Sequence, residues 1–263
     1  MILTVDIGNT NTVIGGFTDS NLTFTLRIRS DRNKTADEYA LQLKGLLDLR
    51  GVSLEEIEGG IVSSVVPVLK NVIPHALREL TGKHFLVVGT GIKTGLNIRM
   101  DYPSQLGADL VVDAVAALSR YKAPLVIFDM GTATTLSVID PKGDYVGGMI
   151  IPGLRLSLDA LSANAAQLPF IHLEQPQHLI GTNTVDCMKS GMIYSNAAMI
   201  DGLIDRVEDE LGQPVTAVAT GGLMGLILPN CKREIHYHEH LMLEGLLYLY
   251  QKNQIRHKKP EMD

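Results

Sequence analysis

The chain has 263 residues, enough for one large domain or two small ones with a proper hydrophobic core. Its formal net charge of -6 argues against a nucleic-acid surface, which needs a broad basic stripe. Asp, Lys, Gly or Pro interrupts every apolar run before it reaches a bilayer-spanning length.

The opening MILTVDIGNTNTVIGGF reads as a strand (Ile2, Leu3, Val5, Ile7), a tight polar turn from Gly8 to Thr12, and a second strand (Val13, Ile14, Phe17). Asp6 falls at the end of the first strand, where a carboxylate can hold a magnesium ion directly or through water. Gly8 lets backbone approach a phosphate, and the amides and hydroxyls around Asn9, Thr10 and Thr12 are donors for its oxygens. Taken alone, the stretch reads equally as an ordinary hairpin with a polar turn. Leu22 to Ile28 alternates as a third antiparallel strand. Thr35-Ala36-Asp37-Glu38 has the form of a capping box, and Tyr39, Leu43, Leu46 and Leu47 fall on one helical face up to a stop at Gly51. Gly60 to Val66 predicts a strand, Pro67 the first turn of the next helix, and Phe85 to Val88 a further strand. Such alternation predicts α/β architecture.

A loop from Gly89 to Pro103 leads to a predicted helix from about Ser104 to Tyr121. Leu106, Leu110, Ala114, Val115 and Leu118 form its apolar stripe, with Asp109, Asp113, Ala116 and Arg120 on another face. From the residues alone, Asp109 and Asp113 read as a solvated acidic face. Pro124 opens a strand, a second polar turn and a hairpin through Pro141-Lys142-Gly143-Asp144. Gly147-Gly148 and Pro152-Gly153 then puncture the next strand and open a helix near Leu154. Thr184 to Gly212 predicts one long helix. Its apolar pattern (Val185, Met188, Met192, Ile193, Ala197, Ile200, Leu203, Ile204, Val207) suggests that a partner subunit covers part of it. Val215 to Leu223 is a strand running into Gly221-Gly222. His236, His238 and His240 alternate without matching carboxylate or Cys spacing, which favours a surface role over a metal site. The last helix is expected to end near Lys252, with a frayed tail from Asn253 to Asp263. Two cysteines, Cys187 and Cys231, indicate neither a disulfide framework nor a thiolate site, and the chain shows no basic n-region before its first strand. The expected location is the cytoplasm.

Asp129-Met130-Gly131-Thr132-Ala133-Thr134-Thr135 repeats the design of Asp6-Ile7-Gly8-Asn9-Thr10-Asn11-Thr12. Each copy opens about half of the chain, so two similar domains, 1-121 and 122-263, are expected to face each other across a cleft, with the two turns gripping a polyphosphate. Both copies, in this order and spacing, resemble the actin-like ATPase superfamily, whose domains carry mixed sheets flanked by helices on a ribonuclease H-like plan. Within it, the DIGNTNTVIGG opening, Leu106-Gly107-Ala108-Asp109, the Asp129 to Thr135 turn, Gly147-Gly148 with Pro152-Gly153, and Gly181-Thr182-Asn183-Thr184 resemble type III pantothenate kinases, in colinear order from Met1 to about Leu249.

The resemblance implies an ATP-dependent kinase that phosphorylates pantothenate to 4'-phosphopantothenate, the first step toward coenzyme A. It implies that Asp6, Ile7, Gly8, Asn9, Thr10, Asn11, Thr12, Val13 and Thr132 bind ATP, with Asp6 also linked to Mg2+. It implies Asp109 as the catalytic base. Tyr102, Gly107, Ala108, Asp109, Leu110 and Thr184 would line the pantothenate site, Thr184 from the other subunit of a homodimer. A monovalent cation, K+ or NH4+, would sit near Asp129. In such families a Thr-Gly-Gly turn like Thr220-Gly221-Gly222 lies near the adenosine. The chain departs from the family pattern at Leu110, where Arg is usual, and at Asp113, where Asn is common. The alternatives are a non-catalytic nucleotide-binding regulator of the same fold and a kinase for another small hydroxyl compound.

Overall fold

The computed structural model describes residues 1–254. The first sheet begins as an antiparallel meander of β1 (Ile2–Ile7), β2 (Asn11–Thr18) and β3 (Asn21–Arg29). After α1 (Ala36–Leu49) the chain returns as β4 (Gly59–Ser64) parallel to β1, and after α2 (Leu69–Thr81) as β5 (Phe85–Val87) parallel to β4. The order is β3-β2-β1-β4-β5. α3 (Ala108–Leu118) follows. The second sheet repeats the plan: β6 (Leu125–Met130), β7 (Ala133–Ile139) and β8 (Tyr145–Pro152) form the meander, and α4 (Leu154–Asn164) and α5 (Thr184–Leu211) follow. β9 (Thr216–Thr220) lies parallel to β6; then come α6 (Met224–Ile227), β10 (His236–Tyr237) parallel to β9, and α7 (Leu241–Gln254). The order β10-β9-β6-β7-β8 is that of the first sheet read backwards, each strand matching its counterpart five places earlier. The repeat seen in two short turns is thus a repeat of whole topology.

The chain forms two compact units. One comprises Met1–Gly95, Ser104–Ala116 and the stretch from Leu241; the other comprises Leu96–Pro103 and Ala117–His240. A single boundary at 121/122 does not describe this division, because α7 leaves the half that precedes it. Its Leu243 and Leu247 are buried with Phe17 of β2, against Ile2 and Leu22.

In each sheet, strand parity decides what the central strand shows to each side. Leu3, Val5 and Ile7 of β1 enter the core built with Tyr39, Leu43 and Leu47 of α1 and Leu69, Ile73 and Leu77 of α2. Ile2, Thr4 and Asp6 take the opposite face. Val126, Phe128 and Met130 of β6 pack with Ile193, Ala197, Ile200 and Ile204 of α5, which leaves Asp129 on the other face of its sheet.

Several expectations are corrected. The capping box of α1 forms as expected: Thr35 accepts from the Glu38 N–H, and Glu38 accepts from the Thr35 N–H at 2.7 Å. Pro67, however, precedes α2, in a turn closed by the Leu69 and Lys70 N–H groups on the Val66 carbonyl. The helix expected from Ser104 is broken: Pro103–Gln105 is one 3-10 turn, and α3 starts only at Ala108. Val111 to Ala117 is buried all round, Asp113 at 1% exposure included, so α3 has no solvated acidic face beyond Asp109. From Met192 to Val207 the apolar stripe of α5 packs into its own unit's core, so that part of it gives no argument for a partner subunit. α7 runs on to Gln254, and the tail expected beyond it lies outside the described residues.

Candidate active site

The first turn is a two-residue hairpin loop. The Gly8 N–H donates to the Asn11 carbonyl at 3.0 Å, Ile7 pairs with Thr12, and Asn9 and Thr10 form the exposed tip. The second turn is one residue shorter, with the Gly131 N–H on the Ala133 carbonyl at 3.1 Å, Met130 paired with Thr134, and Thr132 alone at the tip. The ungapped sequence match is therefore correct up to the glycine and slips by one afterwards: Thr12 corresponds to Thr134, and both are fully buried. The Thr12 hydroxyl lies 2.9 Å from that of Ser30, inside the protein, so Asn9, Thr10 and Thr132 carry the solvent-facing polar groups of the two turns. Ile7 is buried, and Asn11 and Val13 are half-buried members of β2.

Gly153 explains why the Pro152-Gly153 pair follows β8. A Cβ there would stand 2.1 Å from the Thr132 carbonyl, so only glycine lets the start of α4 back the second turn this closely. Gly221 plays a similar part behind Asp129: its φ is +97°, and a Cβ would meet the Met130 backbone at 2.6 Å. That glycine serves contact with β6, while Gly222 beside it faces open space.

Asp6 and Asp129 occupy matching positions, each next to last in the central strand and half-buried. Across the parallel pairing, Asp6 sits beside Ser63 and Asp129 beside Thr220. Among the described residues, no group of three His, Cys, Asp or Glu could hold a metal ion. An ion here would need one carboxylate supplemented by phosphate and water oxygens, which is how Mg2+ binds in phosphoryl-transfer sites. The buried Ser63 hydroxyl, without a partner among the described residues, is suited to water in the shell of such an ion. The donor set therefore fits Mg2+ at Asp6, and the hard oxygens of Asp129 fit a monovalent cation.

Asp109 is the second residue of α3. Its Oδ1 accepts from the Leu110 N–H at 2.9 Å. A Cβ on Gly107 would come within 2.3 Å of that oxygen, so the carboxylate rests on bare backbone. Burial pushes the Asp109 carboxyl above its ordinary range, against the pull of the N–H groups of Leu110 and Asp109 itself. A half-buried carboxylate of raised basicity is chemically able to accept a proton from a hydroxyl brought next to it. Ala108 and Leu110 flank it, both half-buried.

Tyr102 is exposed at 66%, in the segment grouped with the second unit. Thr184 is exposed at the first turn of α5 beside Asn183, which caps the helix by accepting from the Asp186 N–H at 3.0 Å. Gly181 to Thr184, with Leu161 and Met188, line an open cavity of about 600 Å³. Arg99 and Arg155 are each paired with a carboxylate, at 3.6 Å from Asp144 and Asp159 respectively. The sequence singled out the alternating histidines but gave no sign of their partner: Tyr121 stacks on His236 at 4.6 Å and its hydroxyl is 2.7 Å from His238 Nε2. His236 and His238 are thus half-buried packing groups, His240 is half-buried as well, and β10 spans only two residues. Both cysteines are free, and burial raises the Cys231 thiol to about 11. No helix among the described residues is long and apolar enough to cross a membrane.

A family model of type III pantothenate kinases matches residues 2–206. The type III pantothenate kinase of Moorella thermoacetica is 44% identical over 253 residues, covering 96% of this chain and all of that protein. The one from an Exiguobacterium species is 45% identical over 258 residues, 97% of this chain and all of its own. Among solved structures, a Campylobacter jejuni protein assigned provisionally to the Baf family of transcriptional activators superposes with a TM-score of 0.59 at 17% identity, over 96% of this chain and 99% of that one. Component A of the (R)-2-hydroxyglutaryl-CoA dehydratase of Acidaminococcus fermentans gives 0.55 at 14%, over 96% and 98%. At such identities these structures share the fold alone.

Proposed function

The chain belongs to the type III pantothenate kinase family, and from that premise we propose that it transfers the γ-phosphoryl group of ATP to the primary hydroxyl of pantothenate, giving 4'-phosphopantothenate and ADP as the first step toward coenzyme A. The observation that carries the mechanism is the Asp109 carboxylate, raised in basicity by burial and held by the Leu110 N–H. The substrate hydroxyl forms a bond to the γ-phosphorus, the bond from that phosphorus to the β–γ bridging oxygen breaks, and the hydroxyl proton passes to Asp109. Proton acceptance of this kind contributes roughly a hundredfold or more in rate.

The remaining work is positioning and charge neutralisation. Asn9, Thr10 and the backbone of the Gly8 turn donate to phosphate oxygens, and Thr132 at the tip of the second turn is a phosphate donor of the same kind. Thr12 supports the turn from inside, fully buried and with its hydroxyl engaged with Ser30. Asp6 holds Mg2+, which when bound neutralises phosphate charge. Asp129 holds K+ or NH4+. Gly107, Ala108, Leu110 and Tyr102 line the pantothenate site, with Thr184 supplied by the second subunit of a homodimer. The dimer reading draws support from exposed apolar side chains on and after α4, with Phe170 at 75% and Ile180 at 79% exposure, a surface that a monomer rarely leaves open. The enzyme acts in the cytoplasm.

The direct test is ADP release by the purified chain with ATP, Mg2+, K+ and a panel of small hydroxyl compounds. Pantothenate is expected to give the highest kcat/KM. A higher value for another compound, or ADP release independent of any acceptor, would overturn the assignment.

A further inference from the structure

The loop between β3 and α1 carries Arg32, whose exposed guanidinium donates through Nη2 to the Asn9 side-chain oxygen at 3.0 Å. Asn9 is at the tip of the first polar turn, so this cation stands where that turn would meet a ligand. The loop is fixed to the turn from behind. The Ser30 N–H donates to the Thr10 carbonyl at 3.0 Å, and the Ser30 and Thr12 hydroxyls are 2.9 Å apart. The Asp31 N–H donates to the Tyr39 hydroxyl oxygen at 2.8 Å, and that hydroxyl donates back to the Asp31 carbonyl at 2.9 Å; Tyr39 is fully buried in the core.

The nearby charges are turned elsewhere. The Asp31 carboxylate accepts from the Asn33 N–H at 3.0 Å, and Lys34 Nζ donates to Gln42 at 2.7 Å. Among the described residues, Arg32 makes no ion pair. A guanidinium has five N–H donors, and Asn9 takes one. An exposed bond between Arg and Asn is worth little to the fold. Its evident effect is to preorganise the side chain, which lowers the entropy lost when the remaining donors engage an anion.

We propose that Arg32 is a phosphate-binding residue, reaching from outside the turn to an oxygen of the nucleotide polyphosphate while Asn9 holds it in place. The proposal rests on the reading that the first turn receives ATP, and it adds the charge that the turn itself lacks, since Gly8 to Val13 contains no cation. A planar fork suits phosphate better than a point charge, so lysine is only a partial substitute.

The test is calorimetric titration of ATP with Mg2+ into the wild-type chain, Arg32→Lys and Arg32→Gln, each at low and high salt. Arg32→Gln is expected to raise Kd about tenfold or more, with Arg32→Lys between. Arg32→Gln should also show a flatter salt dependence than the wild type, because one charge has left the contact, and the melting temperature should be unchanged. Equal Kd values would overturn the proposal. So would a loss in both variants with the wild-type salt dependence kept, since Arg32 would then only shape Asn9. A wild-type chain that binds no ATP would instead overturn the reading of the turn itself.

Discussion

Gly107→Ala isolates the geometry of the proposed base without touching its chemistry. The φ of Gly107 lies outside the left-handed region, so alanine strains no backbone. The added Cβ would stand 2.3 Å from Asp109 Oδ1, where real contacts do not fall below 3.0 Å, so the oxygen must retreat by roughly 0.7 Å. The next atoms are at 3.5 Å or beyond, which confines the conflict to that one carboxylate. Retreat costs the bond from the Leu110 N–H, worth about 1.5–3 kcal/mol for a charged acceptor, and water can replace much of it at a half-buried site. Stability should therefore change little. Catalysis should not be so tolerant, since a misplacement of about 1 Å can cost about a hundredfold. We expect kcat to fall about tenfold to a hundredfold, measured by ADP release at saturating substrates, with the melting temperature nearly unchanged. Combined with Asp109→Asn, the alanine should cost little more, because the two changes act through one group. A kcat within about twofold of the wild type, or losses that multiply in the double variant, would refute the reasoning.

Asp109→Asn should lower kcat by about a hundredfold or more, and it carries a stability signature of known sign. Because burial raises the folded-state pKa, the ionised group costs stability, a cost absent below the unfolded pKa and complete once pH rises past the folded one. The Asn variant should thus melt no lower than the wild type at pH 7, its advantage fading as pH falls toward the acid range; a lower melting temperature at pH 7 would contradict the burial argument. Leu110→Arg should lower KM for pantothenate by about tenfold or more by offering its carboxylate a charged donor, with kcat changed less. A KM that is low in the wild type and rises with Arg would mean that position 110 acts only through its N–H on Asp109. For the homodimer, mixing Asp109→Asn with a Thr184 variant defective in substrate binding should restore part of the activity through hybrid subunits. No recovery after verified exchange would remove the shared site.

What the sequence determined by itself is what local chemistry specifies. The alternation of β1 to β3, the Thr35 to Glu38 cap, the hairpin at Lys142-Gly143, and the end of α5 at Gly212 with φ +68° are all legible, because each depends on residues a few positions apart. The two Asp-Gly turns were legible for the same reason, and so was the repeat they mark. Tertiary structure decided the rest. Whether an apolar stripe faces its own core or a partner depends on what lies opposite, and α5 turned out to be covered by β6 and its neighbours. The length of each turn depends on strand register, which Ile7–Thr12 and Met130–Thr134 fix differently although the residues align without a gap. α7 joins the first unit through Phe17, more than two hundred residues away in the chain, a contact with no local signal. Arg32 was invisible for the same reason: it matters only because the loop after β3 folds back on Asn9, and no periodicity in the sequence encodes that meeting.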